Sequence, residues 1–451
     1  MTKAEARERI EKLKKEINHH RYAYHVLDKL EITEAALDSL KHELYKLEQQ
    51  FPDLITSDSP TQRVGGEPLA KFKKVHHDVR MTSLEDVFSE EEFFEWTQRI
   101  KKLVSLRDKK DFNFFSELKV DGFAISLEYE NGVFGVGSTR GDGLIGEDVT
   151  QNLKTIESIP LSLMIDPTIE KELISKEILT KEILVNLRNN IKDVKIEIRG
   201  EVYMTKKIFE QINEEQREKG LSLYANPRNI AAGSIRQLDP KVAASRKLDF
   251  LAYDVVTDMG QSTHEQEHAI CKMLGFKIDK LSKFCKDENE VIAFWKEVAD
   301  KREKLDHLID GVVVSVNSNK IFNDLGIVGK TPRGAMAFKF APMEATTIVE
   351  DVAVHVGRTG VLTPVAHLKP VQIGGVMVSR ASLHNIDEIR RLGLKIGDTV
   401  IVQRAGDVIP DVTQVLPGLR TGKEKEFHMP KKCPVCDESV VRPEGEVAYR
   451  C

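Results

Sequence analysis

Cysteine, tryptophan and long apolar runs are all scarce in this chain. Five cysteines in 451 residues cannot form a disulfide framework that holds a fold. Cys271 and Cys285 stand apart as ordinary thiols, while Cys433, Cys436 and Cys451 crowd together and point to a metal rather than a disulfide. No run is long and apolar enough to span a bilayer. The opening Met1-Thr2-Lys3-Ala4-Glu5-Ala6-Arg7 lacks the apolar core of a signal peptide, so a cytoplasmic protein is expected. A basic excess is missing too: 67 lysines and arginines face 72 acidic residues, for a net charge of −5. Any nucleic-acid surface must therefore be a local patch. What remains is 41% hydrophobic and 31% charged, the balance of a soluble globular protein, with length for about three domains at roughly 150 residues each.

The most informative stretch is Phe115-Ser116-Glu117-Leu118-Lys119-Val120-Asp121-Gly122, in which a lysine stands between two carboxylates. Phe123 to Glu130 then alternates as a half-buried strand, and Asn131-Gly132 is a strong two-residue hairpin signal. In an unbroken register Arg140 returns opposite Phe123, bringing Ser138-Thr139-Arg140-Gly141-Asp142-Gly143 back to Lys119. A lysine amine attacks as a nucleophile when deprotonated, a state favoured by nearby cations or desolvation. The flanking carboxylates could hold a divalent metal against a phosphate. K-x-D-G alone is a weak pattern, and a surface lysine in an ion pair fits those four residues better.

Residues 1–50 read as two helices, with stripes Ile10, Leu13, Ile17, Tyr24, Leu27 and Leu37, Leu40, Leu44, Leu47, the second capped by Thr33. Between them His19-His20-Arg21-Tyr22-Ala23-Tyr24-His25 fits aromatic packing and a ligand site equally well. Ser57 to Gly66 is a turn-rich linker, with a domain boundary near residue 70. Ser89 caps a helix over Phe93, Trp96 and Ile100. Residues 163–195 suggest bland surface helices. Ile196 to Tyr203 alternates, so that Glu197, Arg199 and Glu201 share a face. Asn226-Pro227 opens a helix whose Arg228 and Arg236 could grip a phosphate backbone. Residues 311, 313 and 315 share one strand face, and Lys339 shares another with Ala335 and Ala337. Beyond Val349 the chain falls into short strands, Val352–Val356, Val376–Val378, Thr399–Val402 and Val412–Val415, which suit a small β-barrel. Cys433-Pro434-Val435-Cys436 with Cys451 reads as three ligands of a zinc module lacking its fourth. The chain is expected to end inside that module.

Taken together, these residues resemble the bacterial NAD-dependent DNA ligases along essentially the whole chain. The landmarks are Tyr24-His25-Val26-Leu27-Asp28, Asp58-Ser59-Pro60-Thr61-Gln62-Arg63-Val64-Gly65, Glu117-Leu118-Lys119-Val120-Asp121-Gly122, Thr139-Arg140-Gly141-Asp142-Gly143, Asn226 to Pro240, Val356-Gly357-Arg358-Thr359-Gly360 and Arg404-Ala405-Gly406-Asp407-Val408-Ile409-Pro410. The resemblance implies a multidomain α+β protein: a helical nicotinamide-mononucleotide-binding domain (1–70), a nucleotidyltransferase (adenylation) domain with antiparallel sheets (71–342), an OB-fold barrel (343–420) and the start of a zinc finger (428–451). It implies a monomer that seals nicks in duplex DNA, in replication and repair, with NAD, magnesium or manganese, and zinc.

By the same resemblance Lys119 is the nucleophile that carries AMP. Ser83, Leu84 and Glu117 contact the adenosine portion, Tyr253 stacks on the base and Arg140 holds the ribose region. Glu117, Asp121 and Glu201 place magnesium, and Lys339 neutralises phosphate charge. Arg228 and Arg236 contact DNA phosphates, while Tyr24, His25, Glu34 and Asp38 grip the nicotinamide mononucleotide half. Four positions depart from the pattern: Ser315 replaces a lysine that reaches the AMP phosphate, Glu34 an aspartate, Leu37 a tyrosine and Gly334 a tryptophan. Lys320 is a substitute cation for position 315 by closeness in sequence only. Two other readings stand beside a working ligase: a degenerate paralogue that binds nicked DNA, and an ATP-dependent nucleotidyltransferase, since K-x-D-G is shared with those enzymes.

Overall fold

The computed structural model describes residues 1–63, 71–106, 108–224, 226–340, 344–357, 360–373, 376–403, 410–443 and 448–451. The expected boundary near residue 70, Ala225, Arg358-Thr359, Gly374-Gly375, Arg404 to Ile409 and the side chain of Glu34 lie outside the described residues. The chain forms two compact units, Met1–Lys339 and Phe340–Cys451.

The first unit begins with the two expected helices, Lys3–His25 and Glu34–Gln50, and Thr33 caps the second by accepting from Ala36 N–H at 3.2 Å. Ile10, Leu13, Ile17, Leu37, Leu44 and Leu47 close one core between them. The first stripe stops short of the sequence expectation: Tyr24 and Leu27 are each 40% exposed, because the helix ends at His25 and the chain turns away through a left-handed Asp28 (φ 54°). The stretch read as a linker is tied down. Ser59 and Thr61 donate to Glu48, Lys14 pairs with Asp58 at 3.0 Å, and the buried Arg63 guanidinium donates to the carbonyls of Lys154, Ile156 and Ile159. Those three carbonyls need donors away from water, and one arginine fork supplies them.

Two sheets carry the rest of this unit. One has the order Glu85–Val87, Ala335–Lys339, Ile309–Val316, Phe114–Val120, Lys283–Cys285. The other has the order Val133–Thr139, Phe123–Glu130, Ile196–Tyr203, Asp249–Val255 and is antiparallel throughout. The chain therefore changes sheets at Asp121-Gly122, immediately after the lysine. The hairpin forms as expected at Glu130 and Val133, but a bulge shifts the register between Glu128 and Tyr129. Arg140 consequently returns beside Ala124, donating N–H to its carbonyl at 3.4 Å, rather than opposite Phe123. One extra residue on one strand moves every later pair by one. Residues 163–195 do form helices, Pro167–Ser175 and Lys181–Asp193, yet they are not bland. Ile169, Leu173, Ile183, Leu184 and Leu187 bury against Ile125, Leu127 and Ile198 of the antiparallel sheet.

In the second unit the strands Glu344–Val356, Thr399–Gln403, Asp411–Val415, Val376–Ser382 and Val361–Ile373 follow one another, and the last pairs back onto the first. The result is a closed five-stranded barrel around Val349, Leu368, Val400 and Val402. Sequence reading missed the Val361–Ile373 strand, because Pro364 and Pro370 lie inside it. Pro370 sits within the interruption between His367 and Val371, where an N–H is not needed. Cys433, Cys436 and Cys451 bring their sulfurs within 4.8 Å of one another.

Candidate active site

Strand pairing builds the site. Gly311 pairs with both Lys119 and Lys339, so the two lysines stand on one face in a row across three strands, with only a glycine between them. The next row is Glu117, Val313, Ala337, and the one beyond is Phe115, Ser315, Ala335. From these rows Lys119, Glu117, Val313, Ser315 and Ala335 line a cavity of about 450 Å³. Its walls include Ser83 and Leu84, Arg140, Arg199 and Glu201, Arg228, and Tyr253-Asp254.

Charge is concentrated where the rows meet the walls. Lys119 Nζ lies 3.1 Å from Asp310, and Lys339 Nζ lies 3.5 Å from Asp310 and 2.9 Å from Asp86. One carboxylate thus bridges two ammonium groups from separate strands. Arg228 reaches Asp121 at 3.1 Å, and Arg236 reaches Glu147 at 3.3 Å while its guanidinium covers the Phe123 ring. Burial pushes the Glu201 carboxyl up to about 8, although Lys119, Arg228 and Arg140 pull the other way. Glu201 comes this close because Gly122 has no side chain: a Cβ there would lie 2.4 Å from the Val202 carbonyl oxygen and 2.7 Å from Glu201 Cγ. That contact explains the glycine of the motif. Glu117 faces differently. Burial would push its carboxyl up, but His268 and His264 beside it bring it down to about 2.

Of the residues expected from sequence, Ser83, Leu84, Glu117, Lys119, Arg140, Glu201, Arg228, Tyr253 and Ser315 line one cavity, and Lys339 shares the row of Lys119. Asp121 meets them through Arg228. Residues 1–63 contribute nothing to the cavity lining. Within them His25, pushed down to about 4 by burial and then by the Arg21 guanidinium, forms an edge contact with Tyr24 at 4.8 Å. Asp38 pairs with Lys41 at 3.3 Å and is largely exposed. The substitute cation Lys320 is overturned: it pairs with Asp108 at 2.8 Å and lines a different, polar hollow with Asn113 and Gln261. Among the described residues Glu117, Asp121 and Glu201 do not gather their ligand atoms within 4.8 Å of one another; Glu117 gathers with His264 and His268 instead. Sequence reasoning missed Asp310, Asp86, Arg199 and the histidine pair. Asp310 had a signal, since it directly precedes the strand face that carries Gly311.

Comparison with known proteins decides the family. The NAD-dependent DNA ligase adenylation domain matches residues 69–183 and 169–343, the NAD-dependent DNA ligase OB-fold domain 346–424, the N-terminal NAD+-binding domain of DNA ligase-like proteins 3–65, and the NAD-dependent DNA ligase C4 zinc finger domain 432–451. The chain belongs to the NAD-dependent DNA ligase family. It is 48% identical over 445 residues to the DNA ligase of Acetivibrio thermocellus, covering 98% of this chain and 63% of that protein. It is 47% identical to the DNA ligase of Halothermothrix orenii over 98% of the chain and 62% of the relative. For the DNA ligase of Thermotoga petrophila the values are 45%, 98% and 61%. The chain thus spans about three fifths of the length of these relatives. Membership in this family removes the ATP-dependent reading of K-x-D-G. The barrel is the OB-fold of the family, and the three gathered cysteines fit three positions of a C4 zinc site. Among the described residues no helix is long and apolar enough to cross a membrane.

Proposed function

We propose that this chain seals nicks in duplex DNA with NAD, in replication and repair, as a cytoplasmic monomer. The observation that carries the proposal is the row of Lys119 and Lys339 facing a cavity that Ser83, Arg140, Glu201 and Tyr253 line. Lys119 Nζ attacks the adenylyl phosphorus of NAD; the P–N bond forms and the P–O bond to nicotinamide mononucleotide breaks. The 5′-phosphate of the nick then takes the AMP from Lys119, and the 3′-hydroxyl displaces AMP to form the phosphodiester. Lys339 stabilises the charge that develops on the transferred phosphate, while Arg140 holds the ribose region. Tyr253 stacks on the base, and Arg228 and Arg236, exposed at the rim, meet DNA phosphates. Tyr24, His25, Glu34 and Asp38 serve the nicotinamide mononucleotide half.

Magnesium suits Glu201, a buried carboxyl raised to about 8 that a cation would stabilise as the anion, with Asp121 beside it. The ion supplies charge neutralisation to the phosphate when bound. Glu117 belongs to the nucleotide side of this reading. That Lys119, Arg140, Glu201 and Lys339 stand together supports a working enzyme over a degenerate paralogue. The test is to incubate the chain with NAD and magnesium, map AMP by mass spectrometry, and assay a nicked duplex. Adduct on Lys119 and sealed product are expected. Absence of adduct, or adduct on another residue, refutes the proposal.

A further inference from the structure

Two histidines stand four residues apart on the helix His264–Met273, so both lie on one face, directed at the Glu117 strand. His268 Nε2 lies 2.9 Å from one Glu117 oxygen, and His264 Nε2 lies 3.7 Å from the other. All three ligand atoms fall within 4.8 Å of one another. An ion bonded at about 2.0–2.2 Å to such donors sets them roughly 3.4 Å apart in a tetrahedron, a spacing that the two observed separations bracket. The site is dry on its inner side: His268 is 2% exposed and Glu117 7%, with the Phe115 ring 4.7 Å from His268.

Two further observations point to a ligand. His264 Nε2 and His268 Nδ1 are buried without a hydrogen-bond partner, although buried polar atoms are satisfied as a rule, and His268 Nε2 meets only the Glu117 carboxylate. His264 Nδ1 instead meets Glu267 at 2.6 Å, and Glu267 accepts from Asn319 at 2.7 Å. A carboxylate on the far nitrogen is the outer support that orients metal-binding imidazoles.

We propose that Glu117, His264 and His268 bind a divalent ion of the zinc and cobalt class, with its remaining position open to the nucleotide cavity that Glu117 and His264 line. Two imidazoles and one carboxylate favour such ions over magnesium. Binding displaces any proton on the ligating nitrogens, because ligand imidazoles are neutral. The site is separate from the cysteine cluster, and it does not depend on the ligase reading.

The test uses the full chain, free of nucleotide and with its cysteine cluster saturated by zinc. Cobalt(II) is titrated in and followed by visible absorption and calorimetry. One further ion per chain is expected, without the thiolate charge-transfer band of a cysteine site. Affinity should fall at least tenfold in His268→Leu, and about 10–100-fold in Glu267→Gln, which touches only the outer support. X-ray absorption of the loaded chain should show imidazole ligands. Absence of a further ion on the unmodified chain overturns the proposal, even if the variants fail to fold. Unchanged affinity in a folded His268→Leu chain overturns it as well.

Discussion

Replacing Glu201 by glutamine should make the protein more stable while removing a group that the proposed chemistry needs. Burial lifts this carboxyl from its ordinary 4.5 to about 8, against the pull of Lys119, Arg228 and Arg140. The folded state therefore keeps a proton that the unfolded chain releases. Between pH 4.5 and 8 the folded state binds more protons than the unfolded one, so the contribution of Glu201 to stability falls as pH rises through that window. The full interval corresponds to roughly 5 kcal/mol at about 1.4 kcal/mol per pH unit. Solvent reaches part of the side chain, which reduces the expected loss to about 1–3 kcal/mol. Glutamine carries no proton equilibrium, so the advantage of Glu201→Gln over the parent should grow by that amount from about pH 4.5 to pH 9, a little over half of it above pH 6. Urea unfolding without added magnesium measures it. Both tryptophans, Trp96 and Trp295, lie in the first unit, so their fluorescence reports the part of the chain that holds Glu201. An advantage that stays constant or shrinks at pH 9 would refute the reasoning.

Lys119→Arg should form no AMP adduct by intact-mass measurement, because a guanidinium stays protonated in proteins; adduct in that variant removes Lys119 as nucleophile. Gly122→Ala forces a Cβ against the Val202 carbonyl oxygen at 2.4 Å. The expected cost is about 1–3 kcal/mol in urea unfolding, together with slower adenylation as Glu201 is displaced; an unchanged midpoint contradicts the contact. Ser315→Lys returns a cation to the cavity floor, and single-turnover adenylation should accelerate by about 10²–10³. Equal rates would show that position 315 does not serve the phosphate.

Sequence was most informative where structure is decided locally. Thr33, Ser89 and Asn226 all cap the helices expected of them, since a cap needs only its own first turn. Strand parity likewise grouped residues 311, 313 and 315 together and Lys339 with Ala335 and Ala337, and pairing sets the two groups side by side on one face. Parity cannot say which strands pair. The row of Lys119, Gly311 and Lys339 and the bridge from Lys119 to Asp310 join segments 191 residues apart in the second case, and nothing within either segment encodes the other. The bulge between Glu128 and Tyr129 and the proline-bearing barrel strand escaped the sequence reading for a related reason. Each is an irregularity that neighbouring strands compensate, and a single segment does not display its neighbours.

The departures from the family pattern show the same limit. Gly334 alone looks like the loss of an aromatic ring. In the folded chain a Cβ at Gly334 would lie 2.6 Å from the ring of Phe322, and Phe322 lines the same cavity as Ser315. A tryptophan at 334 and this placement of Phe322 exclude one another, so the aromatic ring at this wall comes from the helix Asn319–Leu325 rather than from the turn before Ala335–Lys339. That helix does not bring a cation to Ser315. Lys320, on that same helix, turns to Asp108 at 2.8 Å and Asp324 at 3.8 Å. Arg199, which does line the cavity, is drawn to Glu197 at 2.8 Å and to the carbonyls of Val79 and Arg80. Phe322 shapes this wall while Lys320 and Arg199 are held by other partners, which makes position 315 a place where one substitution is expected to gain rate.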